Sequence, residues 1–164
     1  MLDPLRFIGA GELRDGDLTL EFLELAIHAY HKVPTYFFRM KTLPTGAEAG
    51  TVNLRVGSTP HLELYAGHIG YGVHEPYRGH RFAARSVVLL LPLAAELGLD
   101  PLWITCDPEN IASRRSLEIA GAEFVEIVDV PEDCGIRKFG GKTRKCRFRL
   151  QISQIGTRRP MTTR

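Results

Sequence analysis

Long apolar runs are missing from this sequence of 164 residues. The longest run, from Val87 to Ala95, contains Pro92 and is far shorter than the ~20 residues that a transmembrane helix needs. We therefore expect no span across a membrane. The first residues also lack a basic patch followed by a long apolar stretch, so we expect no secretory signal.

Cysteine is scarce as well. Cys106, Cys134 and Cys146 are odd in number and widely spaced, which is typical of neither a disulfide framework nor a zinc ligand set. We expect a reduced, cytoplasmic protein. The histidines show no metal-ligand spacing either, so we predict no metal. Neither of the common glycine-rich nucleotide motifs is present, which disfavours Rossmann dehydrogenases and P-loop NTPases.

The net charge of +2 conceals a division along the chain. Residues 1–133 contain 11 lysines and arginines and 19 acidic residues, whereas residues 134–164 contain 10 basic residues and no acidic ones. A basic end of this kind can bind nucleic acid, or it can complement the acidic remainder of the chain. We favour the second interpretation and do not expect a nucleic-acid partner, because no aromatic residue follows Phe148 to stack on bases.

The hydrophobic pattern changes its period midway along the chain. Period-two or β-branched segments predict strands at Leu18–Phe22, Tyr36–Met40, Thr51–Val56, Leu102–Cys106, Phe124–Val130 and Cys146–Ile152, and one strand that runs through Leu62–Tyr65 and, after Gly67, through His68–Val73. The spacing of Phe22, Leu25 and Ala26 would also suit a helix. Three- and four-residue spacing predicts helices at Arg81–Leu97 and from Asn110 to Gly121, the latter with Ile111, Leu117 and Ala120 as its inner face. We therefore expect an α/β (α+β) fold, with one domain over residues 1–152 and a flexible basic tail over 153–164.

The most informative segment runs from Val73 to Ala83, where a strand ends, a turn follows and a helix begins at once. Such a junction directs free backbone N–H groups and the positive end of a helix dipole at one point, which suits a phosphate. Arg78 and Arg81 could add charge-assisted hydrogen bonds to the same anion. The alternative is a solvated loop with an ordinary helix cap.

These residues resemble a known family. Arg78-Gly-His-Arg-Phe-Ala83 is similar to the acyl-coenzyme A signature of the GNAT acetyltransferases, Arg/Gln-x-x-Gly-x-Gly/Ala. Asn110-Ile-Ala-Ser113, followed by Gly121-Ala-Glu-Phe124, is similar to a later motif of that family. The resemblance covers about residues 50–130. It implies a mixed, mostly antiparallel sheet with splayed central strands and flanking helices, and an N-acetyltransferase that uses acetyl-CoA.

The resemblance also implies where the cosubstrate binds. The pyrophosphate of coenzyme A would lie on the turn formed by Gly79, His80, Arg81, Phe82 and Ala83. The pantetheine arm would pair with the strand edge at Tyr71 and Val73, one of whose amides would stabilise the oxyanion, and would contact Asn110 and Ser113. The acceptor would be a small-molecule or peptide amine. A catalytically silent sensor of the same fold that binds coenzyme A is the alternative.

Three features depart from the family pattern. Arg81 replaces the family's central glycine, and its side chain either clamps the anion or weakens its binding. Leu117 stands where many relatives carry a proton-donating tyrosine, which leaves water, Ser113 or Ser116 as donors. The segment Ile27–Thr35 is too short for the usual helix pair, so the acceptor is large, or another segment or a second subunit of a homodimer covers it. The loop Pro131–Thr143 is a candidate cover.

Transfer of an acetyl group to an amine requires a proton acceptor. His68, on the strand that precedes the anion turn, and Glu63, which the pattern places earlier on the same strand, are the candidates. For each, the alternative is a structural role, as a histidine that fixes strand geometry or as an ordinary exposed glutamate.

Overall fold

The computed structural model describes residues 13–155, so the predicted tail lies outside the described residues from position 156 onward. Its N-terminal half forms a five-stranded antiparallel sheet with the strands in chain order. Alternating apolar side chains, such as Tyr36, Phe38 and Met40, lie on the buried face of this sheet. The strands are β1 (Arg14–Asp15), β2 (Leu18–Ile27), β3 (Pro34–Thr42), β4 (Glu48–Arg55) and β5 (Ile69–Val73).

A second, three-stranded sheet follows in the order β6–β8–β7, and both of its pairings are antiparallel. Its strands are β6 (Leu102–Cys106), β7 (Glu123–Asp129) and β8 (Arg144–Leu150). Leu102, Ile104 and Phe148 are almost fully buried and join the same core as the first sheet. The predicted fold class, mixed and mostly antiparallel, is confirmed.

Among residues 13–155, four α-helices accompany the sheets: α1 (Phe82–Glu96), α2 (Ile111–Ile119), α3 (Gly135–Gly140) and α4 (Ile152–Ile155). A short 3-10 helix forms at Glu75–Tyr77. Val87, Leu90 and Leu93 bury one side of α1 in the core, while Pro92 lies on its exposed side. In α2, Leu117 is buried as predicted, but Ile111 is 67% exposed, so its assignment to the inner face was wrong. Among residues 13–155, no helix is long and apolar enough to cross a membrane.

The predicted strand at Leu62–Tyr65 was wrong, because a π-helical turn occupies His61–Ala66. Thr59 begins this turn: its hydroxyl accepts the Leu62 N–H at 3.3 Å and its carbonyl accepts the next N–H at 3.0 Å. The amide of Gly67 closes the turn on the Leu62 carbonyl at 2.6 Å. Local capping therefore overrides the alternating pattern of the sequence.

The connection between β2 and β3 is short, as expected. Residues 28–33 join the two strands directly, and the His28 amide donates to the Val33 carbonyl at 2.8 Å. The family's usual helix pair has no room at this position. Helix α3 packs on this connection, where Gly135 contacts the Tyr30 side chain.

Candidate active site

The two sheets touch at one end of a split between β5 and β6. The His68 amide donates to the Trp103 carbonyl at 2.6 Å, and Gly67 packs directly on the backbone of β6. Beyond this contact β5 and β6 are edge strands of separate sheets, and a cavity opens between them. The splayed central strands predicted from the sequence are therefore present.

The edge of β5 offers unpaired backbone groups to this split. The backbone amide of Arg55 donates to the His68 carbonyl, and the amide of His74 donates to the Ala49 carbonyl. These two bonds show which residues of the β4–β5 ladder are hydrogen-bonded pairs. Because paired residues alternate in an antiparallel ladder, the amides of Tyr71 and Val73 face away from β4. The edge thus lies where the sequence placed it.

The turn before α1 holds free amides. Helix α1 begins after Arg81, which adopts φ 60 and ψ 27, and no side chain caps its first turn. Within residues 13–155, none of the six amides from Gly79 to Ala84 donates to another protein group. We call this segment, which leads into the first turn of a 15-residue helix, the nest; free amides at such a position can receive an anion.

Arginine side chains frame this nest. Arg78 is exposed and its Nε donates to the Val73 carbonyl at 3.1 Å, which ties the turn to the end of β5. Arg85 links the turn to β1: its Nη1 donates to the His80 carbonyl at 3.2 Å, and its Nε pairs with Asp15 at 2.7 Å. The exposed Arg81 occupies the left-handed conformation for which the family uses glycine.

Two cavities meet in the split. The first, of about 510 Å³, extends from the nest along Val73 and Phe82 to α2. The second, of about 540 Å³, lies between β5, β6 and α3. Both are lined by Tyr71, Asn110 and Ser113, so these three residues stand at the junction.

The junction is a hydrogen-bonded contact. The Tyr71 hydroxyl lies 2.6 Å from the Ser113 hydroxyl, and burial raises the pKa of Tyr71 to about 12, so the phenol stays protonated. Asn110 caps α2 by accepting the Ser113 amide at 3.0 Å, which leaves its side-chain NH₂ available. Leu117 is fully buried, and Ser116 donates to the Ala112 carbonyl at 2.9 Å. Tyr71 and Ser113 are therefore the hydroxyl donors that face the junction.

A cluster of histidines lies beside the second cavity, and His31 lines it. His31 Nδ1 lies 2.9 Å from His61 Nε2, and His61 Nδ1 lies 3.9 Å from the Cys134 sulfur. His28 holds this loop by accepting the amides of Tyr30 and His31, each at 3.1 Å. Burial, reinforced by the charge of Arg55, lowers the pKa of His31 to about 3, so His31 is neutral at neutral pH.

The predicted base candidates lie elsewhere. His68 is buried, and its Nδ1 accepts the Trp103 amide at 2.9 Å, so its Nε2 carries the proton and donates to the Gly57 carbonyl at 2.8 Å. The ring therefore has no free lone pair, and its geometry is that of a structural residue. Glu63 belongs to the π-helical turn rather than to β5 and does not line either cavity.

The basic end of the chain complements acidic residues. Lys142 and Lys145 contact Asp107 at 2.9 and 2.7 Å, Arg147 contacts Glu126 at 2.5 Å, and Arg149 contacts Glu123 at 3.2 Å. These pairs agree with the favoured interpretation of the charge division. Among residues 13–155, no group of three or more histidine, cysteine or acidic side chains could hold a metal ion.

The loop predicted as a cover contributes helix α3 to the second cavity. Gly135, Ile136, Phe139 and Gly140 line that cavity, and Gly135 packs so closely on the Tyr30 hydroxyl that a side chain would not fit there. Sequence reasoning missed His31 and Arg55, which line the same cavity, and His61, which contacts His31. The one local signal was an arginine in an apolar strand, directly after the buried Leu54.

The split between the two sheets and the uncapped start of α1 agree with the acetyltransferase fold that the sequence motifs predict. The GNAT acetyltransferase domain matches residues 6–123, and the chain belongs to this family. A spermidine N-acetyltransferase chimera from Vibrio cholerae and hSSAT superposes with a TM-score of 0.60 at 15% identity, covering 84% of this chain and 98% of that one. No match was found among curated proteins.

Other solved structures share the fold over a smaller part of their length. The microcin C7 self-immunity acetyltransferase, in complex with acetyl-CoA and AMP, gives a TM-score of 0.54 at 14% identity over 71% of this chain and 61% of that one. A putative ribosomal-protein-serine acetyltransferase from Vibrio cholerae gives 0.53 at 22% identity, over 71% and 64%. The chain thus spans less than two thirds of these relatives.

Proposed function

We propose that this protein transfers the acetyl group of acetyl-CoA to a primary amine. The observation that carries the proposal is the nest of six free amides, Gly79 to Ala84. Four of its residues, Gly79, Arg81, Phe82 and Ala83, line a cavity that leads to the split between β5 and β6. A diphosphate fits this nest because the donors have no protein partner and two exposed arginines, Arg78 and Arg81, flank it.

Each part of coenzyme A has a matching set of residues. The amides of 79–84 would hold the pyrophosphate, and the free edge of β5 at Tyr71 and Val73 would pair with the peptide-like pantetheine arm. Asn110 would donate its side-chain NH₂ to the same arm. When bound, acetyl-CoA supplies an acetyl group activated as a thioester. The Tyr71 or Val73 amide would stabilise negative charge on a carbonyl oxygen in the split.

The second cavity would hold the acceptor, with His31 as the proton acceptor. When His31 Nδ1 donates to His61, its Nε2 carries a free lone pair on a residue that lines the cavity. When His31 Nε2 takes a proton from the amine, His31 Nδ1 can pass its own proton to His61 Nε2, so that His31 becomes neutral again. We assign this role to His31 rather than to His68 because the nitrogens of His68 are both occupied by backbone groups.

The leaving thiolate would be stabilised at the junction of the cavities. Leu117 has no donor to offer, whereas the Tyr71 and Ser113 hydroxyls lie within 2.6 Å of each other there. A phenol with a pKa of about 12 is a weaker acid than a thiol, for which about 8.5 is usual, so Tyr71 would donate a hydrogen bond rather than transfer its proton. The amine proton would then reach the thiolate through solvent.

Binding and turnover can be tested separately. Calorimetry with acetyl-CoA should show binding that His80→Glu weakens at least about tenfold, because a carboxylate would stand beside the anion nest. Val88→Glu adds the same charge on the exposed middle of α1 and should leave the affinity unchanged. Loss of affinity in both variants, or in neither, would contradict the location of the site.

Turnover is measured as thiol release with a panel of amines, with mass spectrometry of the products. His31→Asn should lower kcat about 10²-fold or more without changing the acetyl-CoA affinity. Tight binding of acetyl-CoA with no acetylated product from any amine would support the sensor alternative instead. Absence of binding would refute both.

A further inference from the structure

Among residues 13–155, Arg55 is a buried cation without a carboxylate partner. It ends β4, is 8% exposed and lines the 540 Å³ cavity. Its Nη1 donates to the carbonyls of Ala66 and Gly67 at 2.9 and 3.0 Å, while its Nε has no partner among residues 13–155. An unpaired buried charge is costly, so proteins rarely retain one without a counterion.

The rest of the cavity wall does not neutralise Arg55. Burial lowers the pKa of its guanidinium to about 10, which keeps it charged at neutral pH. Asp107 is the acidic residue of the lining, and it is already paired with both Lys142 and Lys145. Three cations therefore face one carboxylate, and the empty charge-pairing position is at Arg55.

We propose that Arg55 binds a carboxylate of the acceptor, so that the substrate is an amino acid-like compound. This inference rests on the proposed function, because it assigns the cavity to the acceptor. A polyamine would meet a wall of like charge, so we exclude polyamines as preferred acceptors even though a spermidine acetyltransferase shares the fold.

The position of Arg55 also limits the distance between the carboxylate and the amine. Its Nη2 lies against the Cα of Gly70, where no side chain would fit, and Gly70 adjoins Tyr71 at the junction of the cavities. One residue along a strand spans about 3.3 Å, so the two functional groups of the acceptor lie a few bonds apart. This is the spacing of an α- or β-amino acid. Tyr30, Tyr65, Ile136 and Phe139 line the remaining space, which is wide enough for a side chain.

Matched acceptors test the carboxylate directly. Free amino acids and their carboxamides, which differ in charge at one group, are compared for acetylation by the wild-type protein, with spermidine as a cationic acceptor. We expect kcat/KM to be at least about 30-fold higher for the acids than for the amides, because the amides cannot form a charged hydrogen bond with Arg55. Equal use of the amides, or a preference for spermidine, would overturn the inference and leave the proposed function intact.

Variants of Arg55 make the test specific to this residue. Arg55→Gln should bring the acid-to-amide ratio close to one, and Arg55→Lys should retain part of the preference because it retains the charge. The ratio is internal to each variant, so a reduced folded fraction does not alter it. Arg39→Gln is the matched control: Arg39 lies on neighbouring β3 and pairs with Glu21 and Glu48 at the surface.

A binding measurement separates this inference from the proposed function. N-acetylated amino acids and their amides are titrated by calorimetry into the protein with coenzyme A. If the acids bind and the amides do not, and if Arg55→Gln abolishes that binding, the carboxylate site is supported. This holds even if no amine is acetylated, because failure of acetylation would refute only the proposed enzymatic activity. Equal binding of acids and amides, or binding of neither, overturns the assignment of Arg55.

Discussion

The contact that sets the split between the sheets can be tested at Gly67. This residue adopts φ +75, and a Cβ built on it would lie 2.9 Å from the Thr105 nitrogen, 3.1 Å from the Ile104 Cα and 3.2 Å from the Trp103 oxygen. All three are backbone atoms of β6, which cannot rotate away as a flexible side chain would. Gly67→Ala must therefore shift one strand against the other.

Two costs add in this variant. Gly67 has φ 75 and ψ 163, a backbone conformation that only glycine adopts readily, so it costs an alanine about 1 to 3 kcal/mol. Forcing a methyl group into packed backbone costs about 1 to 3 kcal/mol more. Gly67→Ala should therefore lower the free energy of unfolding by about 2 to 6 kcal/mol. Gly98→Ala is the matched control, because Gly98 has φ +74 and nothing within 4 Å of its Cβ position. It should lose only the conformational part, about 1 kcal/mol.

The assay is urea unfolding with acetyl-CoA titration of the folded fraction. Unfolding midpoints give the stability difference, provided that the m-values agree between variants. Folded Gly67→Ala should also bind acetyl-CoA more weakly, because the strand edges that would receive the pantetheine arm are displaced. Equal destabilisation by the two alanines, with unchanged affinity, would refute the argument that this contact positions the split.

Two further predictions concern Arg81 and His31. Arg81→Gly should raise the free energy of unfolding by about 1 kcal/mol through relief of the left-handed conformation, while acetyl-CoA affinity, measured by calorimetry, falls because a cation is lost from the nest; tighter binding would show that the arginine obstructs the site. Burial lowers the pKa of His31 in the folded state to about 3, below an unfolded value near 6.5, so the unfolded chain binds the proton first. The contribution of His31 to the free energy of unfolding should be fully present above about pH 6.5 and should fall as the pH drops toward 3. The loss should be less than about 1.4 kcal/mol per pH unit, because the group is partly exposed. Urea titrations at several pH values should show a smaller pH dependence for His31→Asn.

The sequence predicted those parts of the site that depend on local order. The turn before α1 could be located because a strand, a short turn and a helix follow one another within residues 73–83. Asn110 could be located for the same reason, since it stands between β6 and α2. In both cases the chain neighbours of a residue determine its surroundings.

Contacts between distant segments escaped prediction. His31, His61 and Cys134 come from three separate connections, which meet because the π-helical turn contacts both the β2–β3 connection and the residue that precedes α3. His68 and Glu63 were chosen as bases because the pattern placed both on one strand. The cap at Thr59 instead forms a π-helical turn, which moves Glu63 off β5.

In the proposed site, Arg55 would connect recognition of the acceptor to proton transfer by His31. The pKa of His31 is lowered mainly by burial and then by the charge of Arg55. A carboxylate bound to Arg55 would offset this charge, so the second effect would disappear when the acceptor binds, and the pKa of His31 would rise. A base is most effective when its pKa lies close to the working pH. His31 would thus become a stronger base in the complex than in the free protein, and an amine without a carboxylate would gain neither the contact nor the improved base.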